Sequence, residues 1–161
     1  MGRRRMELAF TLVELLVVIA IVGIITTVIV AFSADSYRKT QLRDGATQLV
    51  ADLNRARTQA QRTSADSVVT LTAAAVGSPD DKYSTKWAGA ATATDKALPA
   101  PIRVAPYNST YSLNAIRYSA PYGEVTVTGI LWEVSSLSTA TKLYIKAVGV
   151  TGKVMLSATP N

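Results

Sequence analysis

The sequence predicts an α+β fold: a long N-terminal α-helix, half transmembrane and half amphipathic, packed on a small antiparallel β-sheet head. Three observations predict this fold. Residues 10–32 read FTLVELLVVIAIVGIITTVIVAF and carry one charge, Glu14. Residues 33–64 carry an apolar stripe at helical spacing. Within residues 65–161, five segments alternate apolar with polar residues, as half-buried strands do, and turn residues lie between them.

The composition excludes several function classes. A chain of 161 residues corresponds to about one domain. It contains no Cys and no His, which excludes disulfides, thiolate nucleophiles, histidine-based triads and Cys/His zinc sites. A hydrolase would have to use a Ser/Lys or carboxylate scheme, and no motif supports one. We therefore expect no enzyme activity, no catalytic residue, no cofactor and no metal site.

The apolar segment is long enough to cross a bilayer. Residues 15–32 are 18 uncharged residues, and about 20 are needed for a spanning helix. Three arginines at 3–5 precede it, so the positive-inside rule places the N-terminus in the cytoplasm and the head outside. A cleaved signal peptide is the alternative, but the run is longer than an ordinary h-region and no A-x-A pattern follows residue 32.

Glu14 needs a partner, because an unpaired charge in an apolar helix is costly. A free amino terminus at Phe10 would supply a cation if residues 1–9 were removed, since an α-amine has a pKa of about 8. Phe10 and Glu14 are four residues apart, and in a bundle the carboxylate could meet the amine of a neighbouring subunit.

The string AFTLVELLVVIAIVGII behind a short Arg-rich leader resembles the class III leader and N-terminal helix of type IV pilins and type II secretion pseudopilins. This resemblance implies cleavage between Ala9 and Phe10 by a prepilin peptidase, N-methylation of Phe10, and a role for Glu14 in filament assembly. The sequence departs from the family at Ala9, where Gly is usual, and by lacking a helix-bending Pro later in the segment. An uncleaved single-pass anchor is the alternative.

Residues 33–64 predict the amphipathic half of the helix. Their apolar residues follow each other at intervals of four and three, which places them in one stripe: Leu42, Ala46, Leu49, Leu53, Ala56 and Ala60. A separate helix after a break at residues 33–36 is the alternative. The opposite face, which includes four arginines with Asp44 and Asp52, is interpreted as a solvated face of mixed charge rather than a phosphate-binding one. Gly45 is interpreted as a flexible point in the helix, because Gly is a poor helix former.

Five segments of the head are predicted as strands: 67–72, 124–128, 130–134, 142–148 and 153–157. The sequence GVTG at 149–152 predicts a hairpin between the last two. Residues 76–101 show no periodicity and are predicted to be a long loop, serving as a binding surface or a mobile tip.

The aromatic and acidic side chains of the head are interpreted as structural residues. The aromatic residues are expected to supply its core rather than a stacking platform: Tyr83, Trp87, Tyr107, Tyr111, Tyr118 and Tyr122. Asp80 and Asp81 are interpreted as turn residues rather than cation ligands. The sequon at 108–110 is interpreted as a chance match.

The run LNRARTQAQRTSADSVVTL and the terminal VGVTGKVML are similar to the GspH/FimT-type pseudopilins and minor pilins. Some FimT-like members bind DNA through a Gly-Arg-x-Arg element in the last hairpin, and here that element reads Gly152 to Met155 with one basic residue, Lys153. Lys142 and Lys146 on the adjoining strand could partly compensate, so these three lysines are the candidate DNA contacts.

Together these features predict a structural subunit of a type IV pilus or type II secretion pseudopilus, first held in the inner membrane and then polymerised through its N-terminal helix. The expected partners are the prepilin peptidase, other pilin subunits, the inner-membrane assembly platform and the lipid bilayer. The alternative is a minor pilin near the filament tip whose head binds DNA or a surface.

Overall fold

The structure is a computed structural model that describes residues 11–72, 74–75, 77–107 and 113–160, the side chains at 30–32 excepted. It divides into two compact units, Met1–Tyr37 and Arg38–Asn161. The elements follow the predicted α+β order, with one long helix and then eight strands.

Helix α1 runs over Leu12–Thr63 without interruption. The alternative of a break at residues 33–36 is therefore wrong. The helix ends where Ser64 takes a positive φ of 51°, the left-handed conformation that commonly closes a helix. In the N-terminal unit it contains an 18-residue window with a mean hydropathy of 3.1, none of it buried, which is long and apolar enough to cross a membrane.

The C-terminal unit contains two antiparallel sheets of four strands. The first has the order β3-β2-β1-β5 and comprises Thr94–Ala97, Lys82–Lys86, Ser67–Leu71 and Ala115–Tyr118. The second has the order β4-β6-β7-β8 and comprises Ile102–Pro106, Gly129–Ser136, Thr139–Val148 and Lys153–Ser157. The fold class is confirmed, with two small sheets where one was expected.

The helical stripe is the centre of this unit's core. All six predicted stripe residues are at most 1% exposed, and they pack with strand residues such as Val69, Tyr118 and Trp132. Each fully buried Leu contributes about 2 kcal/mol of hydrophobic stabilisation.

Gly45 permits a close approach of the helix to strand β4. A Cβ at this position would lie 3.1 Å from both Cγ1 and Cγ2 of Ile102, which is itself 1% exposed. A larger residue at position 45 would therefore press against a buried strand residue.

The predicted loop at 76–101 is wrong over two segments, because it contains strands β2 and β3. Strand β2 reads KYSTK, and its inward positions are Tyr83 and Thr85, so the alternation is carried by residues that are not strongly apolar.

The predicted strand at 124–128 is also wrong. Glu124 makes one isolated bridge to Ser119, and the Val125 N–H donates to the carbonyl of Val150 instead of joining a ladder.

The final hairpin is confirmed. Strands β7 and β8 pair from Tyr144 with Ser157 to Val148 with Lys153. Gly149 and Gly152 have φ of 63° and 67°, so both ends of the connecting turn use the left-handed conformation that glycine adopts without strain.

The strands β4 and β5 were not predicted. Their sequences, IRVAP and AIRY, are short and do not show a clear alternation of apolar and polar residues.

Candidate functional site

The start of α1 is closed by a reciprocal cap. The Thr11 backbone N–H and hydroxyl each donate to Glu14 Oε2 at 3.0 Å, and the Glu14 N–H donates to Thr11 Oγ1 at 3.2 Å. This is the capping box, in which the N-cap hydroxyl and the acid three residues later satisfy each other's backbone donors. The T-x-x-E spacing at 11–14 is the sequence signature of this cap, which was not predicted. Ala9 and Phe10 lie outside the described residues.

The apolar segment presents side chains on every side of the helix. Residues 12–29 are all exposed within the chain, with Leu12 at 79% and Ile24 at 68%. Its two hydroxyls are satisfied internally, because Thr26 Oγ1 donates to the Val22 carbonyl at 2.7 Å and Thr27 Oγ1 donates to the Gly23 carbonyl at 2.9 Å. The segment can therefore enter an apolar environment without leaving these two groups unpaired.

A family model described as the prokaryotic N-terminal methylation motif matches residues 4–30. This match supports a type IV pilin-type protein. The match spans the residues on both sides of Phe10 and includes Glu14. No curated protein and no solved structure matches the chain. The motif and the long apolar helix together fit a membrane-anchored pilin-type chain, and they point to a structural protein processed by a prepilin peptidase.

The three candidate DNA-contacting lysines lie on the outer face of the second sheet. Lys146 pairs with Met155 and Val148 pairs with Lys153 across the hairpin, which places both lysines on the face opposite the buried Ile145 and Val154. Lys142 Nζ donates to Glu133 Oε1 at 2.8 Å, and this hydrogen bond, assisted by the charge of the carboxylate, raises the pKa of Lys142. Lys142 is thus charged and already paired with a carboxylate of the neighbouring strand.

The same face carries an aromatic pair rather than a row of stacked rings. Tyr107 and Tyr144 meet edge to face, with ring centroids 5.4 Å apart. The prediction that the aromatic residues supply the core is confirmed for Tyr83 and Tyr118, both 0% exposed, but is wrong for Tyr107 and Tyr122, which are 36% and 70% exposed. Tyr111 and the sequon at 108–110 lie outside the described residues.

A polar cluster that was not predicted joins the helix to the first sheet. Asp52 Oδ2 accepts a hydrogen bond from the Tyr83 hydroxyl at 2.7 Å and one from Lys96 Nζ at 2.7 Å. The ring of Trp87 lies under two cations, with Arg55 Cζ at 4.9 Å and Lys96 Nζ at 5.4 Å from its centroid.

Asp52 is 8% exposed, so its assignment to a solvated face was wrong. The sequence position of Asp52 indicates its burial. Asp52 follows Leu49 by three residues and precedes Ala56 by four, so it lies on the helix face that carries the buried stripe.

Asp80 and Asp81 face Arg103. Their carboxylates lie 4.0 Å and 3.2 Å from Arg103 Nη1, and Asp80 forms a backbone bridge with Val104. The pair is thus engaged in linking residues 80–81 to strand β4. Across the residues that the structure describes, no group of three or more acidic side chains converges to hold a metal ion.

Proposed function

We propose that this chain is a pilin-like structural subunit that polymerises through its N-terminal helix into a type IV pilus or type II secretion pseudopilus. The observation that carries this proposal is the methylation motif at 4–30 on a helix whose apolar segment, as far as described, has no partner inside the chain. An apolar surface of this size requires either lipid or other helices around it.

In this proposal the prepilin peptidase removes residues 1–9, and the new amino terminus at Phe10 is methylated. The chain then stands in the inner membrane as a single-pass protein, with the N-terminus in the cytoplasm and residues 65–161 on the outer side. Removal of the leader lowers the positive residues from 17 to 14 and the acidic residues from 11 to 10, so the net charge falls from +6 to +4. The assembly platform then transfers the subunit from lipid to the filament.

Glu14 is the residue that we expect to select the position of the incoming subunit. Its charge would pair with the Phe10 amine of a neighbour, because both groups are more stable paired than alone in an apolar helix bundle.

Mass spectrometry of the N-terminus from host membranes, combined with analysis of sheared filaments, tests the proposal. We expect a chain that begins with methylated Phe10 and that is recovered in the filament fraction. A chain that retains residues 1–9 and remains solely in the membrane fraction contradicts it.

We also propose membership of the GspH/FimT-type branch, supported by the sequence similarity of residues 1–72 and of the last hairpin. Within that branch, binding of DNA by the head is the second candidate function. It is supported by Lys146 and Lys153 on one outer face, and it is weakened by the pairing of Lys142 with Glu133.

A further inference from the structure

The C-terminal unit has an apolar groove between the first turns of its part of α1 and the strands β7 and β8. The groove has a volume of about 460 Å³. Leu42, Leu143, Leu156 and Ala158 give it an apolar lining, and Lys39 and Arg43 lie at its helical side. Arg43 is exposed and is four residues from Lys39, so both cations lie on the same side of the helix.

The same unit also carries an exposed projection, which we define as Tyr122, Glu124 and Val150. Tyr122 is 70% exposed and Val150 is 65% exposed. The backbone holds the projection together, because the Val125 N–H donates to the Val150 carbonyl at 3.2 Å. A Cβ at Gly152 would lie 2.9 Å from the Gly123 carbonyl oxygen, so the two loops are in direct contact.

The groove and the projection lie at opposite ends of the unit. Gln61 Nε2 donates to the Tyr122 carbonyl at 2.8 Å, and a Cβ at Gly123 would lie 3.0 Å from the Arg57 carbonyl oxygen. The projection therefore belongs to the end of the helix near residues 57–61, whereas the groove belongs to residues 39–43. Lys39 and Arg57 are eighteen positions apart on the helix, a distance of about 27 Å along its axis.

We propose that the projection of one copy of this chain docks into the groove of a second copy. Tyr122 and Val150 supply apolar side chains to a groove lined by leucines, and the charges are complementary because Glu124 would face Arg43. Glu124 is exposed and, within the described part of the chain, takes part in no ion pair. The occupant that we propose is therefore a second copy, which carries exposed apolar side chains and a charge opposite to that of the groove.

This contact joins two different surfaces, so each copy can bind the next in a series. When such a series does not close into a ring, it forms an open helical fibre. The inference rests on the proposed polymerisation and deepens it. It adds a contact between C-terminal units to the contacts made by the N-terminal helix.

Disulfide trapping in the full chain tests the contact, since the natural sequence contains no Cys. The variant Val150→Cys/Ala158→Cys is expressed in the host, and filaments are sheared and oxidised. Val150 lies at the hairpin turn and Ala158 lies beyond the opposite end of β8, which is too far for a bond within one chain. We expect a ladder of covalent oligomers. The matched control is Val150→Cys/Thr47→Cys, because Thr47 is exposed on the helix but does not line the groove.

A charge reversal supplies the second readout. Glu124→Arg in the trapping variant is expected to reduce the ladder about fivefold, the effect of losing one exposed ion pair and gaining repulsion. Adding Arg43→Glu is expected to restore it.

Two outcomes would overturn the contact between copies but leave the proposed function standing, provided that the unsubstituted chain is recovered in filaments. In the first, the trapping variant gives no more covalent oligomers than its control. In the second, it forms a disulfide with a different subunit. If the unsubstituted chain is absent from filaments, the proposed function is overturned and the contact with it.

Discussion

Thr11 and Glu14 hold each other at the first turn of α1 through three hydrogen bonds of 3.0, 3.0 and 3.2 Å. The carboxylate proposed to meet a neighbouring subunit therefore already has a partner in its own chain. A contact with another chain must either add to this cap or replace it, and an N-terminal cap of this kind is worth about 1 kcal/mol. The two roles of Glu14, cap and charge, can be separated by substitution.

Glu14→Gln keeps the cap, because Gln also serves at the third position of a capping box, but it removes the charge. We expect Glu14→Gln and Glu14→Ala both to be inserted and cleaved yet to enter filaments poorly. Thr11→Ala removes the hydroxyl and keeps the charge, so we expect it to assemble. Immunoblots of membrane and filament fractions measure this. Normal incorporation of Glu14→Gln with poor incorporation of Thr11→Ala would assign Glu14 to capping alone.

Asp52→Asn is expected to destabilise the C-terminal unit by about 2–3 kcal/mol. The substitution removes the charged acceptor of two hydrogen bonds and leaves Lys96 without its carboxylate. Urea unfolding of the full chain in detergent measures the change. Asp44→Asn is the control, because Asp44 is an exposed carboxylate on the same helix, and we expect a change within about 0.5 kcal/mol. Equal effects of the two substitutions would contradict the importance of the cluster.

Gly152→Ala is expected to be more damaging than Gly149→Ala, although both residues have positive φ. A Cβ at Gly149 would meet no atom within 4 Å, so its cost is the left-handed conformation alone, about 1 kcal/mol. A Cβ at Gly152 would lie 2.9 Å from the Gly123 carbonyl oxygen, which raises the cost to about 2–4 kcal/mol. Thermal unfolding of the two variants measures the difference, and similar midpoints would show that the two loops can separate freely.

The stability of the C-terminal unit is expected to fall at alkaline pH. Burial raises the pKa of Tyr118, and burial together with the hydrogen bond to Asp52 raises the pKa of Tyr83. Both folded pKa values lie above the unfolded value of about 10, so this contribution is fully present below pH ~10 and is lost as the pH rises further.

A titration followed by tyrosinate absorbance should show Tyr83 and Tyr118 ionising only on unfolding, after more exposed tyrosines among the seven have ionised. Ionisation of Tyr83 and Tyr118 together with the exposed tyrosines, before any unfolding, would contradict their burial.

If the head binds DNA, Lys146→Ala and Lys153→Ala should weaken binding, whereas Lys142→Ala should have a smaller effect, because Lys142 is already paired with Glu133. Each lost phosphate contact should reduce the slope of log affinity against log salt by about 0.9. DNA retention by the full chain at several salt concentrations measures this. No retention at low salt dismisses this function.

The sequence predicted the features that depend on one dominant periodicity. The six stripe residues from Leu42 to Ala60 and the strand 153–157 lie where their spacing placed them. Strand β2 could not be predicted in the same way, because its inward residues Tyr83 and Thr85 owe their burial to neighbouring strands and to the helix. The ion pair of Asp52 with Lys96 joins residues 44 positions apart, a proximity that the local sequence does not specify.

At the candidate site, the methylation motif was identifiable from sequence because it is contiguous. The cap of Glu14 by Thr11 was equally local, and its signature was present in the sequence. The pairing of Lys142 with Glu133 depends on the register of β6 and β7, which includes irregularities, and it required the structure.

The buried core of the C-terminal unit begins at Leu42, and no described side chain from Leu12 to Ile29 belongs to it. The environment around the apolar segment can therefore change while the sheets keep every contact that stabilises them. In the proposed pathway, the subunit would therefore pass from lipid into the filament without refolding of its C-terminal unit.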